Sequence, residues 1–598
     1  MAFIKKFGNK ELDDKIEEWI RWDKRDDTCD EIKKLVQNDN ENELNNRLLK
    51  RMAFGTAGLR ARMGAGYSMM NDLTIIQTTQ GFAKYMLTVT PNVRKNGVVI
   101  GFDGRHNSHR FAQRVARVLT LQNIKVYTMS HTCPTPFVPY TVLSKGCDWG
   151  IMVTASHNPK DDNGYKVYYS NGAQIIEPHD EYISRSILEN LEPWENVWQL
   201  DETDNNLCTD VYKETFTNYI KDLEGLCHFK DENSKTDVKF TYTAMHGVGY
   251  PAIQKAFEIF NLPKPIPVIE QVEVDPEFTT VQFPNPEEGK SALNLAMKTA
   301  DENDCKVILA NDPDADRLAL AEKQANGEWK CFSGNELGSL YLWWLSTRLD
   351  ITNTSRGDVY AIASTVSSQI IGSIARVENF KFEETLTGFK WMGNKAHELR
   401  KKGKTVLFAF EEAIGFMCSD KVLDKDGISA AVVLAEMIIH LAKENLNCKQ
   451  QLEKIYEKYG QHISRNSYFI CHDEATINKL FNDIRNFDGK GKYPSHCGRF
   501  EIKYIRDLTT GYDNSQPDNK PILPVSASSQ MLTFTFSNGC IATLRTSGTE
   551  PKIKYYTEYC AEPGRSREEV SNELNEMIEA IIEHFYRPKE NHLTPRPN

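Results

Sequence analysis

The segment DPDADR (312–317) places carboxylates at every second position: Asp312, Asp314 and Asp316. In an extended loop this spacing lets all three converge on one point, where they repel one another unless a hard cation lies between them. An oxygen-only donor set suits magnesium or calcium. An EF-hand would need glycine at its sixth position and glutamate at its twelfth, where Arg317 and Lys323 stand here. A solvated acidic turn is the plainer alternative. The apolar run KVILAN (306–311) before the loop and the arginine after it favour metal, and three carboxylates leave room for a phosphate oxygen on the ion.

Four further segments suit phosphate or sugar chemistry. TASHNP (154–159) follows an apolar run, which places Ser156 at the end of a strand, where α/β sites usually lie. It lacks the G-x-S-x-G pattern of an esterase elbow, and adjacency alone does not make Ser156 and His157 a nucleophile–base pair. In RTSGTEP (545–551), Arg545 offers a two-pronged donor, Ser547 and Thr549 offer hydroxyls, and Gly548 lets backbone N–H groups turn inward. FGTAGLR (54–60) adds Thr56 and Arg60 around two glycines. LFAFEEAIGF (407–416) sets Glu411 at a strand end, where a carboxylate can accept sugar hydroxyl protons. Taken singly, each of these also reads as an ordinary turn or cap.

The elements that carry these loops alternate in type. VVIGFD (98–103), KVYTM (125–129) and GIMVTAS (150–156) read as strands, as do KFTYTAM (239–245), KVILAN, VYAIAST (359–365) and KTVLFAF (404–410). FAQRVARVLTLQN, with Phe111, Val115 and Val118 on one face, and SALNLAMKTADEN from Ser291 read as helices. The alternation predicts α/β domains with mixed, mostly parallel sheets. The last quarter instead carries the strands FEIKYIRDLTTG, MLTFTF and CIATLR. A closing helix follows, capped by Ser566 and Glu569, with Val570, Leu574, Met577, Ile581 and Phe585 on one face; this predicts an α+β domain. The stretch 195–210 reads as a polar connection, 513–524 as a loop, and residues 1–50 as a charged segment, helical around ELDDKIEEWIRW.

The chain has 598 residues, too many for one core, and the prior is about four domains. Lys plus Arg number 72 and Asp plus Glu 83, so a net charge of -11 disfavours non-specific nucleic-acid binding. The 13 cysteines are an odd number without a CxxC pair, which fits free thiols in a reducing compartment better than a disulfide framework. The N-terminus has no apolar signal segment. AAVVLAEMIIHLA, broken by Glu436 and His440, is too short to span a bilayer, so a cytoplasmic protein is expected.

Together and in this order, the five motifs resemble those of the α-D-phosphohexomutase superfamily from about Arg51 to Tyr556. RMAFGTAGLRARMG, TASHNPKDDNGYKVY, ETLTGFKWMGNKA and RTSGTEPKIKYY look most like the branch that contains phosphopentomutase and the second phosphoglucomutase isoform of animals. The resemblance implies a four-domain architecture around a central cleft, three α/β domains plus a C-terminal α+β domain. The expected spans are 1–232 (N-terminal extension and phosphoserine domain), 233–348 (metal domain), 349–466 (sugar domain) and 467–598 (phosphate domain). It implies that Ser156 carries the phosphoryl group and that Asp312, Asp314 and Asp316 hold Mg2+ with the Ser156 phosphate as a further ligand. Arg60, His157 and Lys166 would surround the transferring group, with Thr56 near substrate and Arg317 facing it. Thr387 and Gly388 would sense sugar orientation and Glu411 would bind sugar hydroxyls. Lys425 matches a candidate acid–base lysine, and the sequence does not rank it against His157. Arg545, Ser547, Gly548, Thr549 and Lys554 would hold the phosphate that is not reacting.

The sugar loop departs from the family pattern. Where many members carry Glu-x-Ser-Gly, this chain has Glu411-Glu412-Ala413-Ile414-Gly415, and Phe410 replaces a common glycine. A lost hydroxyl contact shifts discrimination by about tenfold. The expectation is a phosphopentomutase acting on ribose or deoxyribose 1-phosphate and 5-phosphate, with some phosphoglucomutase activity and a glucose 1,6- or ribose 1,5-bisphosphate primer. The expected partners are sugar phosphates alone, and the expected state is a monomer. Glucose 1,6-bisphosphate synthase is the near alternative. A magnesium-dependent phosphatase or an inactive sensor are alternatives of other kinds; the distal RTSGT motif argues against the first, and the intact Ser156, three aspartates and Arg60 argue against the second.

Overall fold

In a computed structural model, residues 7–200, 206–352, 354–527, 529–547 and 551–596 are described. They form two compact units, Met1–Gly334 with Phe389–Asn445, and Asn335–Gly388 with Leu446–Asn598.

The first unit opens with helices Lys10–Trp22 and Asp26–Gln37, as the amphipathic spacing around ELDDKIEEWIRW predicts. Leu12, Ile16, Trp19, Ile32 and Val36 form a small core with Tyr67 and Leu73 of the following domain, so the extension is part of that domain's packing. Next come strands β1 (Leu59–Arg62), β2 (Val98–Phe102), β3 (Val126–Thr128), β4 (Trp149–Val153), β5 (Asp162–Tyr169) and β6 (Cys208–Asp210), in the order β1-β5-β4-β2-β3-β6. The β2–β3, β2–β4 and β3–β6 pairs are parallel, whereas β5 runs antiparallel to both β1 and β4. The central strands β2 and β4 are buried at every position, which is why they read as unbroken apolar runs. Helix Asp72–Val89 starts with a capping box at Asn71 and packs against helices Ser108–Thr120 and His179–Leu188. A Cβ on Gly81 would lie 2.3 Å from the Ile187 Cα, so only glycine permits that approach.

A second sheet joins β7 (Phe240–Thr243), β8 (Ile266–Pro267), β9 (Val307–Ala310), β10 (Ala319–Lys323) and β11 (Trp329–Cys331) in the order β11-β10-β9-β7-β8. Its β7–β8 and β7–β9 pairs are parallel and its β9–β10 and β10–β11 pairs antiparallel. Both sheets are thus mixed, each closed on one side by a hairpin-like return. The same unit carries the antiparallel pair Thr405–Glu411 and Gly415–Met417 between helices Phe389–Lys401 and Gly427–Lys443.

In the second unit, Val359–Ser364 pairs in parallel with Lys381–Thr385. An antiparallel sheet built around Phe500–Asp507, Met531–Phe536, Cys540–Thr546, Lys552–Cys560 and His462–Ile470 follows. Helix Arg567–Ile581 lies on it; the Ser566–Glu569 capping box is present, and Val570, Leu574, Met577, Ile581 and Phe585 are all buried in its core. The stretch 195–210 is less of a mere connection than its composition suggests, because Cys208–Asp210 adds the edge strand β6. No described helix is long and apolar enough to cross a membrane.

Candidate active site

The loops after β4 and β9 leave the C-terminal ends of parallel strands, the position where α/β sheets gather ligands. There the Ser156 hydroxyl donates to Asp312 Oδ2 at 3.0 Å and lies 3.3 Å from His157 Nδ1. Two motifs 156 residues apart thus meet through their central side chains. Ser156 is buried and has a left-handed backbone, φ 55°, a conformation that costs a non-glycine residue about 1–2 kcal/mol.

Asp312, Asp314 and Asp316 are fully buried, with ligand oxygens within 4.8 Å of one another. Lys166, from β5, donates to Asp314 Oδ2 at 2.8 Å and Asp316 Oδ2 at 2.9 Å, and Lys425 reaches Asp316 Oδ2 at 3.2 Å. Thr135 Oγ1 donates to Asp314 Oδ2 at 2.6 Å. These contacts leave Asp314 Oδ1 and Asp316 Oδ1 buried without a hydrogen-bond partner. Burial, then repulsion from Asp314 and Asp316, pushes the Asp312 carboxyl well above the usual range. Burial also acts upward on Asp314, but Lys166 and its hydrogen bond outweigh it and hold that carboxyl low. Orphaned carboxylate oxygens, a third acid under electrostatic strain and an all-oxygen donor set together fit a hard divalent cation.

Charged groups surround this centre. Arg317 donates its backbone N–H to Asp312 Oδ1 at 3.0 Å, and its guanidinium lies 3.9 Å from Asp316 and 3.6 Å from Glu287. Arg60, on β1, donates to Asn158 Oδ1 at 2.9 Å and so adjoins the Ser156 loop. Burial, then Arg317 and Arg60, drives His157 well below its ordinary pKa, so its imidazole is neutral. Burial acts downward on Lys425, but Asp316 and Asp424 outweigh it and keep the lysine protonated. Of the two acid–base candidates, His157 is thus neutral and Lys425 protonated.

The sugar-type loop is held against the metal-type loop. Leu318 N–H donates to the Ile414 carbonyl at 3.1 Å, and Arg317 forms a bridge with Gly415. Ile414, whose carbonyl receives Leu318, takes a left-handed φ of 52°. A Cβ on Gly415 would lie 2.3 Å from Lys425 Cδ and 3.1 Å from Glu411 Cγ; its absence lets those two side chains share the site. Burial raises Glu411 to about 7, against the opposing pull of Lys425 and Arg317.

Of the residues expected from sequence, the first unit gathers Arg60, Ser156, His157, Lys166, Asp312, Asp314, Asp316, Arg317, Glu411 and Lys425. Thr56 accepts a hydrogen bond from Lys390. Thr387, Gly388, Arg545, Ser547 and Lys554 belong to the second unit. There Arg545 donates to Thr387 Oγ1, and Lys554 sits opposite Arg545 in the antiparallel ladder. Gly548 and Thr549 lie outside the described residues. Sequence reasoning missed Asp103, Arg105, Lys390 and Asp424. The signal for the first two was the polar DGR directly after a fully apolar strand, at the same sheet edge as Ser156.

The family models for phosphoglucomutase/phosphomannomutase α/β/α domains I, II and III match residues 51–193, 217–327 and 333–459. Phosphopentomutase of Homo sapiens is 55% identical over 596 residues, covering 98% of this chain and 97% of that protein. Glucose 1,6-bisphosphate synthase of Homo sapiens is 50% identical over 602 residues, covering 98% and 96%. Among solved structures, the open form of the Paramecium phosphoglucomutase pp63/parafusin has a TM-score of 0.67 at 19% identity, covering 90% of this chain and 96% of that one. Three consecutive domain models and full-length relatives above half identity place the chain in the phosphoglucomutase/phosphomannomutase family, within the α-D-phosphohexomutase superfamily.

Proposed function

We propose that this protein is a phosphomutase that interconverts ribose or deoxyribose 1-phosphate and 5-phosphate through phosphorylated Ser156 and a sugar bisphosphate, and acts more slowly on glucose 1-phosphate and 6-phosphate. The observation that carries the reading is the meeting of Ser156 Oγ with Asp312 inside a buried cluster of three aspartates and two lysines. The human phosphopentomutase similarity supports the pentose assignment. So does a sugar loop in which Ala413 and Ile414 stand where a serine hydroxyl would read a hexose.

In this account Asp312, Asp314 and Asp316 hold Mg2+, which supplies charge neutralisation to the transferring phosphoryl group when bound. The P–O bond to Ser156 breaks as the sugar hydroxyl forms its own bond to phosphorus. The hydroxyl proton passes to a base, for which neutral His157 is the candidate, and the Ser156 oxygen takes up a proton as it leaves, for which protonated Lys425 is the candidate. Arg60, Lys166 and Arg317 offset the negative charge on the phosphoryl oxygens. Glu411 accepts sugar hydroxyl protons. Arg545, Ser547, Gly548, Thr549 and Lys554 bind the phosphate that is not reacting, and Thr387 and Gly388 sense the orientation of the sugar. The bisphosphate reverses and its other phosphate returns to Ser156, so a primer bisphosphate (glucose 1,6- or ribose 1,5-) starts the cycle. We assign domain spans 1–232, 233–348, 349–466 and 467–598 and a monomer as the acting unit. A cytoplasmic location suits buried thiols such as Cys133, Cys147 and Cys497.

The near alternative, synthesis of glucose 1,6-bisphosphate, draws on the 50% identical human synthase. Parallel assays with Mg2+ and primer separate the two. The proposal expects kcat/KM on ribose 1-phosphate to exceed that on glucose 1-phosphate by about tenfold or more. Equal or better use of glucose 1-phosphate would overturn the pentose assignment. Negligible mutase rates with bisphosphate release from an acyl-phosphate donor would establish the synthase.

A further inference from the structure

The Ser156 loop is held from within by an ion pair that takes no part in the chemistry above. Arg105 is 4% exposed and Asp103 2% exposed; the guanidinium Nε lies 3.3 Å from Asp103 Oδ2. One Arg105 nitrogen, Nη2, donates to the Ser156 carbonyl at 2.5 Å and the Asn158 carbonyl at 2.6 Å. The other, Nη1, donates to the Pro159 carbonyl at 2.8 Å and the Asp162 carbonyl at 3.3 Å. Asp103 acts on the other side of the same residue: it accepts from Thr154 Oγ1 at 2.6 Å, and that hydroxyl oxygen accepts the Ser156 N–H at 2.9 Å. The pair thus brackets both peptide groups of a serine in a left-handed conformation that it would not keep unaided. Phe278 covers the guanidinium at 5.0 Å. Asn158, whose carbonyl Arg105 holds, accepts Arg60 through its side chain.

We infer that Arg105 is a positioning residue for phosphoryl transfer: it fixes the Ser156 oxygen in line with the incoming hydroxyl and in register with Arg60. This rests on the reading of Ser156 as the phosphoryl carrier. A planar fork spans four carbonyls, whereas an ammonium on a flexible stem cannot, so Arg105→Lys keeps the charge and loses the span. With the serine loosened, transfer to sugar slows while sugar affinity holds, and water takes a larger share of the phosphoryl groups.

The test uses the full-length protein with Mg2+, primer and ribose 1-phosphate, and Arg114→Lys as control. Arg114 is an equally buried arginine of the same domain whose partners are Asp72 and the Trp198 carbonyl, outside the Ser156 loop. The expected result for R105K is a kcat lower by about 100-fold, the scale of a 1 Å misplacement. Its KM should stay within about threefold, and inorganic phosphate released per turnover should rise. R114K should lose melting temperature without changing the ratio of phosphate release to turnover. If R105K does not fold, Phe278→Leu, which removes only the cover of the guanidinium, should shift the same ratio in the same direction. An unchanged ratio in R105K, or in F278L where R105K is unfolded, overturns the inference, as does an R105K loss that merely parallels R114K. Phosphate mapping on wild-type Ser156 is read separately: its absence with full turnover would sink the carrier reading and leave the loop geometry untouched.

Discussion

Asp312 is the residue at which the electrostatics are most exposed to test. It is buried, it is pushed toward protonation by burial and by two neighbouring carboxylates, and it alone of the three lacks a lysine partner. Asp312→Asn removes that repulsion at nearly constant shape. Without divalent cation the variant should melt at or above the wild-type temperature. With millimolar Mg2+ the wild type should gain stability by mass action, as any ligand of the folded state provides, and the variant should gain little. Melting curves with and without Mg2+ check this; an equal Mg2+ response in both proteins would remove the aspartates from metal binding. At this scale the sequence showed the donors but not their partners. DPDADR and TASHNP declared their chemistry through spacing, whereas the Lys166 and Lys425 contacts depend on residues 148 and 109 positions away in the chain. Arg105 escaped notice because nothing in GFDGRHNS announces four carbonyls that arrive from another segment.

At the scale of elements, β4 must deliver Ser156 to a fixed place, and the aromatic cluster at its start anchors it. Trp149 packs edge-on against Phe82 at 5.1 Å and His179 at 5.5 Å, and the His179 Nδ1 lies 2.7 Å from the Tyr85 hydroxyl. Burial lowers the His179 pKa below 6.5, with Asp180 opposing weakly. In the unfolded chain the same imidazole takes up a proton near pH 6.5, so between its two pKa values the unfolded state binds more protons. Stability from this group is therefore complete above pH 6.5 and is lost as pH falls through the folded-state value. Melting temperatures from pH 8 to pH 5 should fall more steeply for wild type than for His179→Gln; identical slopes would contradict the assignment. The strands were legible here because β2, β4 and β9 are apolar on both faces and β7 alternates aromatic residues with threonine. Their direction was not, and β5 and β10, which no apolar run singled out, run antiparallel to their neighbours, since nothing in composition fixes the sense of a strand. The edge strand Cys208–Asp210 is three residues long and partly exposed, so it left no apolar pattern to find.

For the whole molecule, a chain with net charge -11 concentrates Arg60, Lys166, Arg317 and Lys425 around one buried acidic centre, so bulk charge says little about what the site receives. The order of motifs along the chain carried the family, with TASHNP, DPDADR and LFAFEEAIGF falling in successive family domains. The grouping into two compact units was not legible, since the unit boundaries at Gly334 and Gly388 fall inside a single family domain, 333–459. The central claim is that one serine carries the phosphoryl group between positions of a sugar. The most direct measurement incubates full-length wild type and Ser156→Ala with Mg2+ and a bisphosphate primer, maps phosphate by mass spectrometry of the peptide containing residue 156, and follows ribose 1-phosphate turnover. The account predicts one phosphoryl group on wild-type Ser156, none on the variant peptide, and a turnover loss of about 1,000-fold or more in the variant. Full mutase turnover by Ser156→Ala, or a wild-type protein that turns over without phosphate on Ser156, would contradict it.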